Sequence, residues 1–135
     1  MLRDSDVAPR EDDTALPRPQ PPASSSGERI PTVTASTFNS VVLQGGGPIA
    51  VEFMTYGCAH CRVIEPILQA VAEALHGKEA LFKVNTAVDG VLADTFEVRG
   101  TPTFVMFLDG KEVGRADGPH PNFASVLSAV TQPFE

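Results

Sequence analysis

Ile49-Ala50-Val51-Glu52-Phe53-Met54-Thr55-Tyr56-Gly57-Cys58-Ala59-His60-Cys61-Arg62-Val63-Ile64-Glu65-Pro66-Ile67-Leu68 is the stretch on which the reading of this chain turns. Residues 49–55 are apolar almost without a break, as in a strand buried on both faces in the middle of a sheet. Glu52 is the exception, and a carboxylate there is costly to bury. The period then changes. Val63, Ile64, Ile67, Leu68, Val71 and Leu75 fall on one stripe of a helix over 59–75, with Gly77 as its stop and Pro66 as an expected kink. Between strand and helix stands Cys58-Ala59-His60-Cys61. Two cysteines three apart at a helix start share one face and lie close enough for a disulfide within one turn. A sulfur at that terminus meets unpaired N–H groups and partial positive charge, so the pKa of Cys58 is expected below the free value of about 8.5. The chemistry that follows is thiol–disulfide exchange. Cys58 attacks a substrate disulfide, a mixed disulfide forms, and Cys61 displaces the reduced product; run backward, the same steps oxidise a substrate.

Working outward, residues 81–85 read as a second strand and 91–96 as a short helix opened by Asp89 or Gly90. Residues 103–108 and 111–116 form two strands joined by Asp109-Gly110, a dipeptide suited to a type I′ hairpin turn. Asn122 is placed to cap a closing helix whose Phe123, Val126, Leu127 and Val130 repeat at i, i+3, i+4 and i+7. Upstream, 30–33 suits a short edge strand, followed by a helix capped by Thr34 or Ser36 with Phe38, Val41 and Val42 inward. Gly45-Gly46-Gly47-Pro48 ends it and lacks the Gly-Lys-Ser/Thr of a phosphate loop, so it reads as a turn. From Ile30 the order is βαβαβαββα, an α/β domain over 30–135.

The chain's 135 residues fit one domain plus an extension. Residues 1–29 hold five of the twelve prolines (Pro9, Pro17, Pro19, Pro21, Pro22) and the run Ser24-Ser25-Ser26-Gly27. They are expected to be a disordered Pro/Ser-rich extension, passive or serving as a partner-binding arm. The longest apolar run, Phe104-Val105-Met106-Phe107-Leu108, is far too short to cross a bilayer. Asp4 and Asp6 stand where a secretory leader would be basic, so a cytoplasmic protein is expected, or a bacterial periplasmic one if a leader has been removed. A net charge of −7 disfavours nucleic acid and anionic membrane as partners. The two cysteines are too close in sequence to staple a long loop, which weakens a structural role for a disulfide. A monomer is expected.

Taken in order, these landmarks resemble the thioredoxin family over residues 49–130. They are Val51-Glu52-Phe53, Cys58-Ala59-His60-Cys61, the helix from Cys61 through Pro66 to Leu68, Val98-Arg99-Gly100-Thr101-Pro102-Thr103-Phe104, and Asp109-Gly110-Lys111. The resemblance implies a central mixed β-sheet flanked by helices, and a dithiol–disulfide oxidoreductase with no cofactor. Its partners would be disulfide- or thiol-containing proteins and a regenerating reductase or oxidase. Glu52 matches the family's buried acid, which takes the proton from the resolving cysteine; otherwise it is a partly exposed structural acid. Lys83 matches a lysine near that acid, as a tuning ion pair or as a lysine snorkelling at an edge. Thr101-Pro102 matches a loop whose cis proline faces the cysteines and whose preceding residue offers backbone groups to a substrate. Gly118, before Pro119-His120-Pro121, would line the same groove, with His120 a surface residue.

Three departures matter. The family's two usual tryptophans are Gly57 and Met54 here, and Ala59-His60 replaces Gly-Pro. The first two imply a shallower groove and altered recognition by a reductase. His60 resembles the residue found in protein disulfide isomerases and periplasmic disulfide oxidases; its imidazole would favour the Cys58 thiolate and raise the reduction potential, unless it simply faces solvent. Two other classes are weighed. A metal site of Cys58 and Cys61 with His60, His76 or His120 is not expected, because structural zinc wants four ligands at recognisable spacing. A binding module would use the groove around Pro102 without turnover.

Overall fold

The apolar run becomes the strand β1 (Pro48–Met54), whose residues 49–54 are all buried. In the computed structural model, which describes residues 30–135, it is followed by α1 (Ala59–Ala74), β2 (Ala80–Asn85), α2 (Gly90–Thr95), β3 (Thr103–Leu108), β4 (Lys111–Asp117) and α3 (Phe123–Thr131). The extension expected over 1–29 lies outside the described residues. The sheet order is β2-β1-β3-β4. β1 runs parallel to β2 and antiparallel to β3, which pairs antiparallel with β4. A mixed sheet flanked by helices is therefore present.

Because β1 is central, both its faces need cover, and strand alternation divides the core in two. Ala50 packs with Phe104 and Met106 against Ile64, Leu68 and Val71 of α1 and Val126 and Val130 of α3. Val51 and Phe53 pack with Val105 and Phe107 against Phe38, Val42, Leu92 and Ala93. By the same alternation Glu52 shares the α1 side with Ala50. Lys83, opposite Glu52 in the register and two residues beyond the core residue Leu81, points the same way.

Several local expectations hold. Asp109 and Gly110 both have positive φ, 50° and 85°, as a type I′ turn requires. The Asn122 side chain accepts the Ser125 N–H at 2.8 Å and caps α3. Others are corrected. The edge strand expected at 30–33 is reduced to one parallel bridge between Thr32 and Lys83; Pro31 has no N–H with which to extend a ladder. The helix expected after it is a turn followed by a π-helical segment, Asn39–Leu43. Thr34 and Ser36 spend their hydroxyls on each other, at 3.0 Å, rather than on a cap. Phe38 and Val42 are nevertheless buried. Asp89 stands at the start of α2 but accepts the Ala35 N–H at 3.1 Å, fastening the two segments together. Val63 is 54% exposed, not part of the buried stripe; at about 100° per residue it faces well away from the arc centred on Ile64 and Leu68. Phe123, expected inward, is 44% exposed at the first turn of α3. A closing 3-10 turn, Gln132–Phe134, was not expected, and its Phe134 packs on the core. Among the described residues no helix is long and apolar enough to cross a membrane.

Gly110 combines a left-handed backbone with a close approach to the Leu43 carbonyl that a Cβ would strike. Gly110→Ala should therefore destabilise the fold by about 1–3 kcal/mol in urea unfolding. Gly57→Ala, where a Cβ meets nothing and φ is not positive, should stay within about 0.5 kcal/mol of wild type.

Candidate active site

β1 delivers the chain to Thr55-Tyr56-Gly57, and Cys58 then caps α1 with extended backbone angles, φ −87° and ψ 118°. Its Sγ accepts the Cys61 N–H at 3.1 Å, so the sulfur stands where a serine or aspartate oxygen normally caps a helix. Both cysteines are thiols; Cys58 is partly exposed and Cys61 buried, 2% exposed. Burial works against the Cys58 thiolate, but hydrogen bonds from the side chains of Cys61 and Thr101 and from the Cys61 and His60 N–H groups outweigh it. Together they hold its pKa below the ordinary value. Burial, then the Cys58 thiol, push Cys61 up to about 11. The two sulfurs are thus opposite in character, one stabilised as an anion and one kept as a thiol.

Facing them, the Thr101–Pro102 peptide is cis, and the Thr101 carbonyl accepts the Cys58 thiol at 3.5 Å. The Gly118 N–H donates to the Pro102 carbonyl at 2.8 Å, joining the two loops. Gly118 has φ +48°, and a Cβ there would lie 3.4 Å from the His60 ring. His60 Nε2 lies 3.1 Å from the Pro119 carbonyl. The imidazole expected beside Cys58 is thus fastened to the Gly118-Pro119 loop, and His60 acts on Cys58 through its backbone N–H. A groove of about 640 Å³ runs between these loops, lined among others by His60, Arg99, Thr101, Pro102, Asp117 and Gly118. His120 is exposed.

Behind the cysteines Glu52 is 1% exposed, and neither carboxyl oxygen has a hydrogen-bond partner among the described residues. Burial first, and the Glu65 charge second, raise its pKa to about 8 against the opposing pull of Lys83. Lys83 is buried, so it is no snorkelling edge residue. Its ammonium donates to Glu65 Oε2 at 3.1 Å, and the Gln69 amide donates to the same oxygen at 2.8 Å. The hydrogen-bonded ion pair of Lys83 is therefore with Glu65 of α1. Glu65 was not among the residues singled out from sequence; the available signal was its spacing, four residues beyond Cys61 and so on the cysteine's side of the helix. Among the described residues no three His, Cys, Asp or Glu side chains group so as to hold a metal.

The thioredoxin family model matches residues 29–130. The chain belongs to the thioredoxin family. It is 34% identical over 89 residues to thioredoxin 1 of Nostoc sp., an alignment that covers 66% of this chain and 83% of that protein. It is 35% identical over 83 residues to the chloroplastic M-type thioredoxin of Brassica napus, covering 62% of this chain but only 47% of that longer protein. The solved structure of the Malassezia sympodialis thioredoxin Mala s 13 superposes with a TM-score of 0.67 at 21% identity, covering 78% of this chain and 91% of that one, and shares the fold. At family level the chain is a thiol–disulfide oxidoreductase. Met54, at one of the two family tryptophan positions, here lines an apolar cavity of about 270 Å³ with Tyr56, Cys61, Arg62, Glu65 and Pro66.

Two predictions follow from this thioredoxin site. Unfolded, Glu52 loses its proton near 4.5, and folded only near 8. The folded state then holds more protons in between, so stability falls as pH rises from about 4.5 to about 8. Glu52→Leu should lessen that fall by on the order of a few kcal/mol. The slope left to it should end near pH 7, where half-buried Glu79 titrates. Urea midpoints across pH check this, and parallel curves would refute it. Secondly, His60→Pro, which deletes the N–H, should raise the Cys58 pKa, whereas His60→Ala, which keeps it, should leave the thiolate absorbance titration nearly unmoved.

Proposed function

We propose that this chain exchanges its Cys58–Cys61 dithiol with disulfides of protein substrates lying in the groove beside Pro102. The observation that carries this is the asymmetry of the two sulfurs: Cys58 accepts a helix-terminal N–H at 3.1 Å and is partly exposed, while Cys61 is buried. The Cys58 thiolate attacks one substrate sulfur, the S–S bond breaks, and the departing thiolate takes a proton. Cys61 then attacks Cys58 Sγ in the mixed disulfide, releasing the second substrate thiolate and leaving the Cys58–Cys61 disulfide. Cys61 needs a base to lose its proton, and a carboxyl that titrates near 8 is closer in basicity to a thiol near 11 than an ordinary carboxyl is. Glu52 has that role, with Lys83 tuning it. Thr101 and Gly118 present backbone to an extended substrate on either side of Pro102.

In this role residues 30–135 would form one thioredoxin-like unit, acting as a monomer in a reducing cytoplasm. There a reductase of this general kind would return the disulfide to the dithiol. In an oxidising compartment the same couple would run in reverse, with an oxidase as regenerating partner. The reduction potential separates the two: a value near −270 mV fits a reductant and one near −180 mV or higher fits an oxidase or isomerase, both figures being about what such proteins show.

Activity is tested on a protein disulfide with dithiothreitol as electron source. Cys58→Ser should abolish turnover. Cys61→Ser should instead accumulate a mixed disulfide visible on a non-reducing gel. Iodoacetamide at neutral pH should modify Cys58 well before Cys61. Wild-type protein that binds the substrate without turning it over would replace this reading with that of a binding module.

A further inference from the structure

Among the described residues the buried charges behind the cysteines do not balance in pairs. β2 contributes one ammonium, Lys83, 5% exposed; β1 contributes Glu52, 1% exposed; and α1 contributes Glu65, whose side chain is 32% exposed. Among the described residues the other titratable group acting on Glu52 is Cys58 at the start of α1, while β3 presents Phe104 opposite Glu52 in the register. If both carboxyls were ionised the cluster would carry a net negative charge in a site almost closed to water, which is expensive. One proton removes that charge. Lys83 then pairs with whichever carboxyl stays ionised, and the other holds the proton.

Geometry decides which. Glu65 keeps contact with solvent, and its Oε2 accepts both Lys83 Nζ at 3.1 Å and Gln69 Nε2 at 2.8 Å. Both Glu52 oxygens lack a hydrogen-bond partner among the described residues, although Lys83 is its register neighbour. We propose that Glu65 is a positioning residue for the exchange reaction, holding the Lys83 ammonium on the helix side so that Glu52 keeps its proton and serves Cys61 as a neutral-range acid and base. The role in exchange rests on the function proposed above; the charge arrangement does not. Without the Glu65 charge the ammonium loses its acceptor on the helix side, and the attraction it already exerts on Glu52 is less offset. An opposite charge within about 4–6 Å lowers a carboxyl pKa by about 1–3 units. The resulting carboxylate, held in an ion pair, would be a weaker base for Cys61.

The test is a carbon-13 carboxyl titration of Glu52 in the reduced full-length protein, the resonance being identified by its loss in Glu52→Gln. In Glu65→Gln and in Glu65→Ala the Glu52 midpoint should fall by about one unit or more. Glu65→Asp should recover most of the wild-type midpoint. Lys83→Met should raise the midpoint, and Glu65→Gln should lower it less in that background, where only the direct repulsion between the two carboxylates is removed. In parallel, the pH profile for decay of the mixed disulfide should move to lower pH in Glu65→Gln. An unmoved midpoint in both Glu65 variants, or an equal fall with Lys83 already replaced, would overturn the inference. The titration needs no substrate. Wild-type protein that turns over a protein disulfide while its Glu65 variants keep the wild-type midpoint would therefore overturn this inference alone. A protein without turnover would overturn the exchange reading and with it the role of Glu65 in exchange.

Discussion

The burial of β1 on both faces constrains everything else in this molecule. A strand closed off by helices on either side must be apolar along its length, and it can emerge only at its ends. The end at Met54 leads through three residues to Cys58, so the first reactive sulfur stands at the rim of the sheet, directly before the helix that covers it. The single polar side chain that the strand carries inward, Glu52, is left buried on the face of the sheet that α1 covers. Cys58 and Glu52 thus come from one continuous segment, the alternation of β1 placing the carboxyl and a short turn placing the sulfur.

The helix start contributes the second element. A helix needs acceptors for its first N–H groups, and here a sulfur supplies one. The same contact that completes the helix favours the thiolate. Its partner one turn on is inside the protein and has the opposite preference. One local structure therefore gives two chemically identical side chains opposite ionisation preferences, and at Cys58 the contact that completes the helix also favours the anion.

Much of this was legible in the sequence because it depends on short-range pattern. The continuous apolar run at 49–55, the amphipathic stripe after Cys61, the Asp109-Gly110 turn and the Asn122 cap are each decided within a few residues, and the thioredoxin order could be read from them. Segments governed by competition were less legible. At residues 30–43, Pro31 cuts the edge ladder short and hydroxyls bond to one another, so a bridge and a π-helical segment stand where a strand and a helix were expected. Side-chain partners across elements were the least legible. The His60 ring, read as beside Cys58 or facing solvent, reaches the Pro119 carbonyl; Lys83, read as tuning Glu52 or snorkelling at an edge, lies opposite Glu52 and hydrogen-bonds to Glu65. In each case sequence distance gives no warning, because the partner comes from a loop or helix whose placement depends on the whole packing.

The groove is fastened by hydrogen bonds to main-chain carbonyls. The Gly118 N–H closes on the Pro102 carbonyl, and the His60 ring bridges from α1 to the Pro119 carbonyl, so three separate stretches of chain are tied together around the cleft. A cleft tied in this way loses little conformational freedom when it is filled. For a substrate bound as proposed, the entropic cost of association would then fall mainly on the incoming chain. Under the proposed function, partners with a flexible segment around their disulfide would give up freedom that the cleft has already lost, while those presenting it already extended would bind at less cost. Choice among substrates would accordingly follow the local order of the partner as much as its amino-acid sequence.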